Sequence, residues 1–297
     1  MLSICPKCGV DAPARVVVGQ DVQKYTLCPI HGESSAVIES DPNFFYCIQQ
    51  NWSPTIYDGV LIDVTKRCNA LCAYCFQTKD NSPDPSIDEI IRQTKLVPDG
   101  YPVILSGGEP TLRSDLGGVV QRIAERNPVH VLTNGFNIDW GLPCAWSLSH
   151  HLETEKLFDA AIVDAIEAGK KFGTIIFTVD DEVSLLRAVE AGLVLRSMSE
   201  SFRIHVAAPV GADYKKPKNT MFVSDMLNIL IKKQEVLVGK GKLTYLPVLI
   251  NGVDFRLISW ANKHTIVLDD LVCPPYYITG GRMEHLVTAL VRQEFAA

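Results

Sequence analysis

Between residues 56 and 237 the chain alternates short apolar runs with amphipathic stretches. Residues 60–65, 102–106, 129–133, 145–149, 173–179 and 202–208 are strand candidates, and several are nearly continuous apolar or β-branched runs, the pattern of strands buried on both faces. Helical spacing fills most of the gaps. Ser86-Ile-Asp-Glu89 is a capping box that opens a helix over 86–97. Leu116, Val119, Val120 and Ile123 make an apolar stripe over 114–126, and Phe158, Ile162 and Ile166 recur one turn apart over 153–168. Helices near 181–192 and 221–236 follow the same logic. Strands alternating with helices predict βαβ units, a parallel sheet and an α/β fold. One gap is too short for a crossover helix: after Asn134-Gly135 only a turn is expected before the strand at 145.

Both ends differ from this middle. Residues 1–50 are cysteine-rich, with short β-like runs at Ala14-Arg-Val-Val-Val18, Lys24-Tyr-Thr-Leu27 and Ala36-Val-Ile38. After residue 237, the runs 243–250, 253–258 and 265–268 look like short strands, and Asn251-Gly252 signals a hairpin between the first two. Three parts are therefore expected: an N-terminal segment over 1–50, a βα core over 56–237, and a C-terminal β extension and tail over 238–297.

The chain has 297 residues, 47% of them hydrophobic, enough for one large core with an appendage. No apolar run approaches the 18 or so residues of a membrane span, and the first residues lack the apolar stretch of a signal peptide. The net charge of −6 gives no global case for nucleic-acid binding. Locally, Lys215, Lys216, Lys218, Lys232, Lys233, Lys240 and Lys242 crowd one segment. A solvated loop and helix face explains them more simply than a phosphate-binding patch. Nine cysteines, an odd number grouped at ligand spacings, point to metal sites in a reducing compartment, the cytoplasm.

Cys68, Cys72 and Cys75 follow the first core strand at CxxxCxxC spacing. Iron–sulfur clusters are normally held by four cysteines, so three thiolates in a tight loop suit a cubic cluster with one iron left for another ligand. A zinc knuckle or three buried structural thiols are the alternatives, but zinc in structural sites takes four ligands and no fourth lies nearby. The motif falls at the carboxyl end of a βα strand, where βα barrels build active sites. One βα unit later comes Ser106-Gly-Gly-Glu-Pro-Thr111. Its glycines allow close backbone approach, and Glu109 offers a carboxylate to an ammonium group.

With these two motifs in this order the chain resembles the radical S-adenosylmethionine (radical SAM) superfamily. The resemblance implies a partial (β/α)6 barrel in which Cys68, Cys72 and Cys75 hold a 4Fe-4S cluster and SAM chelates the fourth iron. It implies that Tyr74 lies against the adenine and that Gly107, Gly108 and Glu109 bind the methionyl amine. Ser147 and Ser149, with His150 a further candidate, would meet the ribose. Thr178, Val206 and Ala207 would complete the SAM site. The expected reaction is reductive cleavage of SAM to a 5′-deoxyadenosyl radical that abstracts a hydrogen from a substrate, fed by an external donor of flavodoxin or ferredoxin type.

Cys5-Pro-Lys-Cys8-Gly9 and Cys28-Pro-Ile-His31-Gly32 are two copies of one knuckle. Cys5, Cys8, Cys28 and His31 make the four-ligand set that structural zinc favours, with iron in a rubredoxin-like site the alternative. This lead segment resembles the branch of the superfamily that includes tetraether lipid synthase. Cys47, Cys144 and Cys273 are too few for a second four-cysteine cluster. On the substrate side, Cys273, Tyr276 and Tyr277 are candidate hydrogen donors, and Arg203, Arg256 and the lysine segment are candidates for an anionic substrate. The substrate could be a small molecule or a macromolecule such as a modified nucleobase, a lipid or a peptide. A metal-stabilised binding module with an inactive barrel is the reading from another class.

Overall fold

A computed structural model describes residues 2–5, 11–50, 60–72, 75, 82–95, 97–206, 221–233, 236–238, 246–258, 267–268 and 271–272. Four antiparallel strands come first: β1 (Leu2–Ile4), β2 (Asp11–Val18), β3 (Val22–Cys28) and β4 (Gly32–Glu39), paired in chain order. In β3, Val22, Lys24, Thr26 and Cys28 alternate inward, as a strand with one buried face requires. Helix α1 (Pro42–Gln50) follows, and its Phe45 packs on Val22.

The central sheet is built from β5 (Val60–Thr65), β6 (Val103–Gly107), β7 (Val129–Thr133), β8 (Ala145–His150), β9 (Thr174–Val179) and β10 (Phe202–Val206). Neighbouring strands are parallel and their order follows the chain without reversal. Connections of one hand with no reversal of order put every crossover helix on the same face. These helices are α2 (Ile87–Thr94), α3 (Leu116–Ala124), α4 (Glu155–Glu167) and α5 (Glu182–Val194), followed by α6 (Val223–Lys233). The predicted capping box of Ser86 and Glu89 opens α2. Between β7 and β8 there is no helix, only turns, as the short gap requires.

Beyond β10 the sheet continues. Strand β13 (Val253–Ile258) pairs with β10 in parallel, and β12 (Leu246–Ile250) and β11 (Val236–Val238) extend the edge antiparallel. Asn251 and Gly252, both at positive φ (48° and 81°), make the tight turn that joins β12 to β13. The C-terminal strands thus belong to the same sheet as the core strands. A separate two-stranded ribbon joins β14 (Val267–Leu268) to β15 (Leu271–Val272).

Alternation along the strands sorts their side chains. Val60, Ile62, Val64, Val103, Leu105, Val131, Leu148, Ile175, Phe177, Phe202, Ile204, Phe255 and Leu257 lie in one buried core with the helices. The intervening residues, among them Asp63, Ser106, Ser147, Ser149, Thr178, Arg203, His205 and Arg256, face the opposite, concave side. The N-terminal sheet is fastened to this body through Glu39. This nearly inaccessible carboxylate accepts hydrogen bonds from the Ser224 hydroxyl of α6 and from the amide of Ser40 at 2.8 Å.

Candidate functional site

The three-cysteine loop leaves the carboxyl end of β5. Its entry is stitched to the end of β6 by backbone hydrogen bonds, Gly108 N to Thr65 O at 2.7 Å and Glu109 N to Arg67 O at 2.8 Å. Two glycines make that approach possible. A Cβ on Gly107, which sits at φ +125°, would stand 2.1 Å from the Thr65 carbonyl oxygen, and one on Gly108 would stand 2.0 Å from that of Arg67. The room these glycines provide is therefore taken by the cysteine loop's own backbone. A Gly108→Ala variant must push the two segments apart, since a carbonyl cannot yield as a side chain tip does. Overpacking together with two lost hydrogen bonds should cost on the order of 2–4 kcal/mol. The expected outcome is a lower melting temperature and poorer iron retention after reconstitution.

Within the loop, the Ala70 amide points at Cys68 Sγ (3.5 Å) and Cys75 N donates to Cys72 O (3.1 Å), closing the turn between the second and third thiols. A charged frame holds the flanks of the loop. Asp84 accepts hydrogen bonds from Thr65 Oγ1 (2.6 Å) and from the Arg67 guanidinium. Burial opposes the charge of Asp84, but these donors hold its carboxyl below the usual carboxylate range. Arg113, buried after the Gly-Gly-Glu segment, donates to Val64 O (2.7 Å) and Pro85 O (2.9 Å) and pairs with Asp115. The two ends of the segment carrying the cysteines are thereby tied to one another.

Glu109 is 1% exposed. Its Oε1 accepts from Thr111 N (3.1 Å), Thr111 Oγ1 (2.7 Å) and Thr133 Oγ1 (2.9 Å), while Oε2 accepts from Asn134 N (2.7 Å). Burial holds its carboxyl above the usual carboxylate range, and these donors offset only part of that rise. Asn134 Nδ2 in turn donates to Asn69 Oδ1 (2.7 Å) in the cysteine loop. Glu109 and Asn134 therefore link three chain segments, one of them the cysteine loop.

Residues 62–169 match the family model described as the radical SAM superfamily. The chain carries a radical SAM domain. Over 175 residues it is 30% identical to 7,8-dihydro-6-hydroxymethylpterin dimethyltransferase of Methanocaldococcus jannaschii, covering 46% of this chain and 34% of that protein. Over 91 residues it is 34% identical to GTP 3′,8-cyclase of Limosilactobacillus fermentum, covering 27% of each. The chain therefore spans about a third or less of the length of these curated relatives. The crystal structure of Streptococcus suis SuiB bound to precursor peptide SuiA aligns with a TM-score of 0.49 at 17% identity, covering 69% of this chain and 54% of that one.

Along the radical SAM domain, Ser147 is buried and Ser149 half-buried on the concave face of β8. Thr178 is half-buried on the same face of β9. His150 departs from its expected place. Its ring lies edge-on to Phe158 of α4 with centroids 4.8 Å apart, on the helix side, and burial there favours the neutral ring. Val206 ends β10. Its side chain lies outside the described residues, as do Tyr74, Ala207, Cys273, Tyr276 and Tyr277. Cys144 sits beside the hydrophobic core, and burial, then Asp139, pushes its thiol up to about 12, which suits a packed thiol better than a ligand.

The N-terminal sheet carries a second ligand group. Cys5 Sγ and Cys28 Sγ each lie 3.7 Å from His31 Nδ1, and the three ligand atoms fall within 4.8 Å of one another. Metal bonds of about 2.0–2.3 Å give tetrahedral edges of roughly 3.6–3.8 Å, so the spacing fits one ion. Burial would raise the Cys28 thiol, but the amides of Ile30 and His31, with the His31 ring and Cys5, bring it down to about 6. Cys8 lies outside the described residues, as does the Cys47 side chain. Of the lysine segment, Lys232 and Lys233 end α6, where cations suit the helix dipole, and Lys233 lies 3.9 Å from Glu182.

Proposed function

We propose that this chain is a radical SAM enzyme whose 4Fe-4S cluster is held by Cys68, Cys72 and Cys75. The observation that carries the reading is the direct hydrogen bonding of the Gly-Gly-Glu segment to the entry of the three-cysteine loop. The donor set fits the group, because thiolates are the ligands iron–sulfur clusters take, and three of them leave one iron for SAM. Held by Cys68, Cys72 and Cys75, the cluster would supply the electron for reductive cleavage of SAM to methionine and a 5′-deoxyadenosyl radical, the species that would take a hydrogen atom from the substrate. The protein's own part is binding and exclusion. Among the described residues, Glu109 Oε1 accepts from three donors and Oε2 from one, which leaves Oε2 the oxygen to receive the methionyl ammonium. Ser147, Ser149 and Thr178 line the concave face for the nucleoside, with Tyr74 and the 206–207 backbone in the roles the family pattern gives them. Cys273, Tyr276 and Tyr277 are our candidates for returning a hydrogen atom.

Cys5, Cys8, Cys28 and His31 form a structural zinc site in this reading, supported by the 3.7 Å spacings. The electron donor is a flavodoxin or ferredoxin, and thiolate chemistry of this kind belongs in a reducing compartment such as the cytoplasm. Among the described residues no helix is long and apolar enough to cross a membrane. The compounds named for the two relatives, 7,8-dihydro-6-hydroxymethylpterin and GTP, are the first to try as substrates.

Anaerobic reconstitution with iron and sulfide, followed by dithionite and SAM, is expected to yield 5′-deoxyadenosine and methionine. A fully loaded protein that forms neither overturns the proposal. Glu109→Gln should weaken SAM binding roughly ten- to a hundredfold, the worth of a buried hydrogen bond to a charged group. Iron content should stay unchanged. Titration of the reconstituted variant with SAM reads both.

A further inference from the structure

The concave face turns basic toward its far edge. On β10, Phe202 and Ile204 belong to the helix-side core, which turns Arg203 and His205 to the concave side. On β13, Phe255 and Leu257, both fully buried, do the same for Arg256, with the exposed Asp254 one step back along the strand. The two strands are parallel, and Arg203 and Arg256 are register partners. Two guanidinium stems therefore leave the sheet side by side from half-buried positions.

This pair is not a product of the repeating strand–helix pattern of the sheet. It arises because β13 returns from the C-terminal hairpin to dock beside β10. The register also locates the pair. Ser149, Ile176, Arg203 and Arg256 are successive partners across β8, β9, β10 and β13, so both arginines stand on the transverse row of Ser149. His205, partner of Thr178, stands one row nearer the carboxyl ends of the strands, the ends from which the cysteine loop and Gly-Gly-Glu emerge.

We propose that Arg203 and Arg256 form a clamp for an oxyanion of the substrate, a carboxylate or a phosphate, held on the concave face across from the cysteine loop. Two planar guanidinium groups suit the paired oxygens of such a group. The substrate class is therefore an anion, a statement that rests on the radical SAM reading for its chemistry but not for its binding.

The test uses the reconstituted full chain with inorganic pyrophosphate as the probe, followed by calorimetric titration at low and moderate salt. Wild-type protein is expected to bind the probe, and Arg203→Gln and Arg256→Gln should each weaken binding roughly ten- to a hundredfold. Arg203→Lys, which keeps the charge but loses the fork, should fall between. SAM affinity, read on the same samples, separates this clamp from a contact to SAM itself. Absence of pyrophosphate binding to wild-type protein would overturn the clamp, and so would equal affinity in the variants. Loss of SAM affinity with pyrophosphate binding intact would assign the arginines to the SAM carboxylate instead, which also overturns it. Failure of SAM cleavage in the wild type sinks the radical reading alone, because pyrophosphate binding is read without it.

Discussion

Cys72→Ala is expected to retain little iron after reconstitution and to form no measurable 5′-deoxyadenosine. The reason is geometric as well as chemical. Cys72 sits in the middle of the loop, and its carbonyl accepts the hydrogen bond from Cys75 N that shapes the turn between the last two thiols. Alanine keeps that turn but removes a thiolate, and two cysteines cannot hold the four irons that three hold with SAM completing the set. The fold should survive, because Cys72 is not among the residues of the sheet–helix core. Iron analysis, the visible absorption of the cluster and product chromatography on matched samples check this. A variant with full iron and normal product would mean that Cys72 is not a ligand.

The second large effect is expected at the other end of the chain. On the proposed zinc reading, Cys28→Ser should abolish metal binding at the N-terminal site and loosen the N-terminal sheet. Among the described residues that sheet has only small apolar clusters: Cys5, Ala12 and Cys28 form one, and Val22 with its neighbours another. A structural zinc can contribute on the order of 10 kcal/mol to folding at neutral pH, far more than such clusters supply. The sheet is fastened to α6 through the buried Glu39–Ser224 hydrogen bonds, so its loss should also lower the melting temperature of the body. Zinc content by a chromogenic chelator, limited proteolysis within residues 1–50, and a thermal melt read the three consequences. Protease resistance like that of the wild type in a zinc-free variant would contradict the structural role.

Much of this was legible in the chain. The core strands could be read because each is a short run rich in apolar and β-branched residues set between helical stretches, and Asn251-Gly252 announced its hairpin because both residue types accept positive φ. The three cysteines and Gly-Gly-Glu were legible as motifs. What connects them was not. Arg113 reaches back 49 residues to Val64 O and 28 to Pro85 O, and Glu109 draws on Thr133 and Asn134, 24 and 25 residues on. Such partners are chosen by tertiary packing and leave no local period. The glycines were readable as close-approach residues, but not that the approaching group is the loop of Thr65 and Arg67. Nor did any pattern place β13 beside β10. Hairpin signals fix a turn, whereas the strand a hairpin docks against is a long-range choice. Helix α1 was missed because Phe44, Phe45, Tyr46 and Ile48 read as strand formers, and its packing on Val22 overrides that preference.

The central claim is that three cysteines leave one iron of the cluster for SAM. Electron paramagnetic resonance of the dithionite-reduced, reconstituted protein tests it most directly. Addition of SAM should change the g-values of the reduced cluster in the wild type and change them less, at equal SAM, in Glu109→Gln. A spectrum of a fully loaded wild-type cluster that SAM leaves untouched would contradict the account.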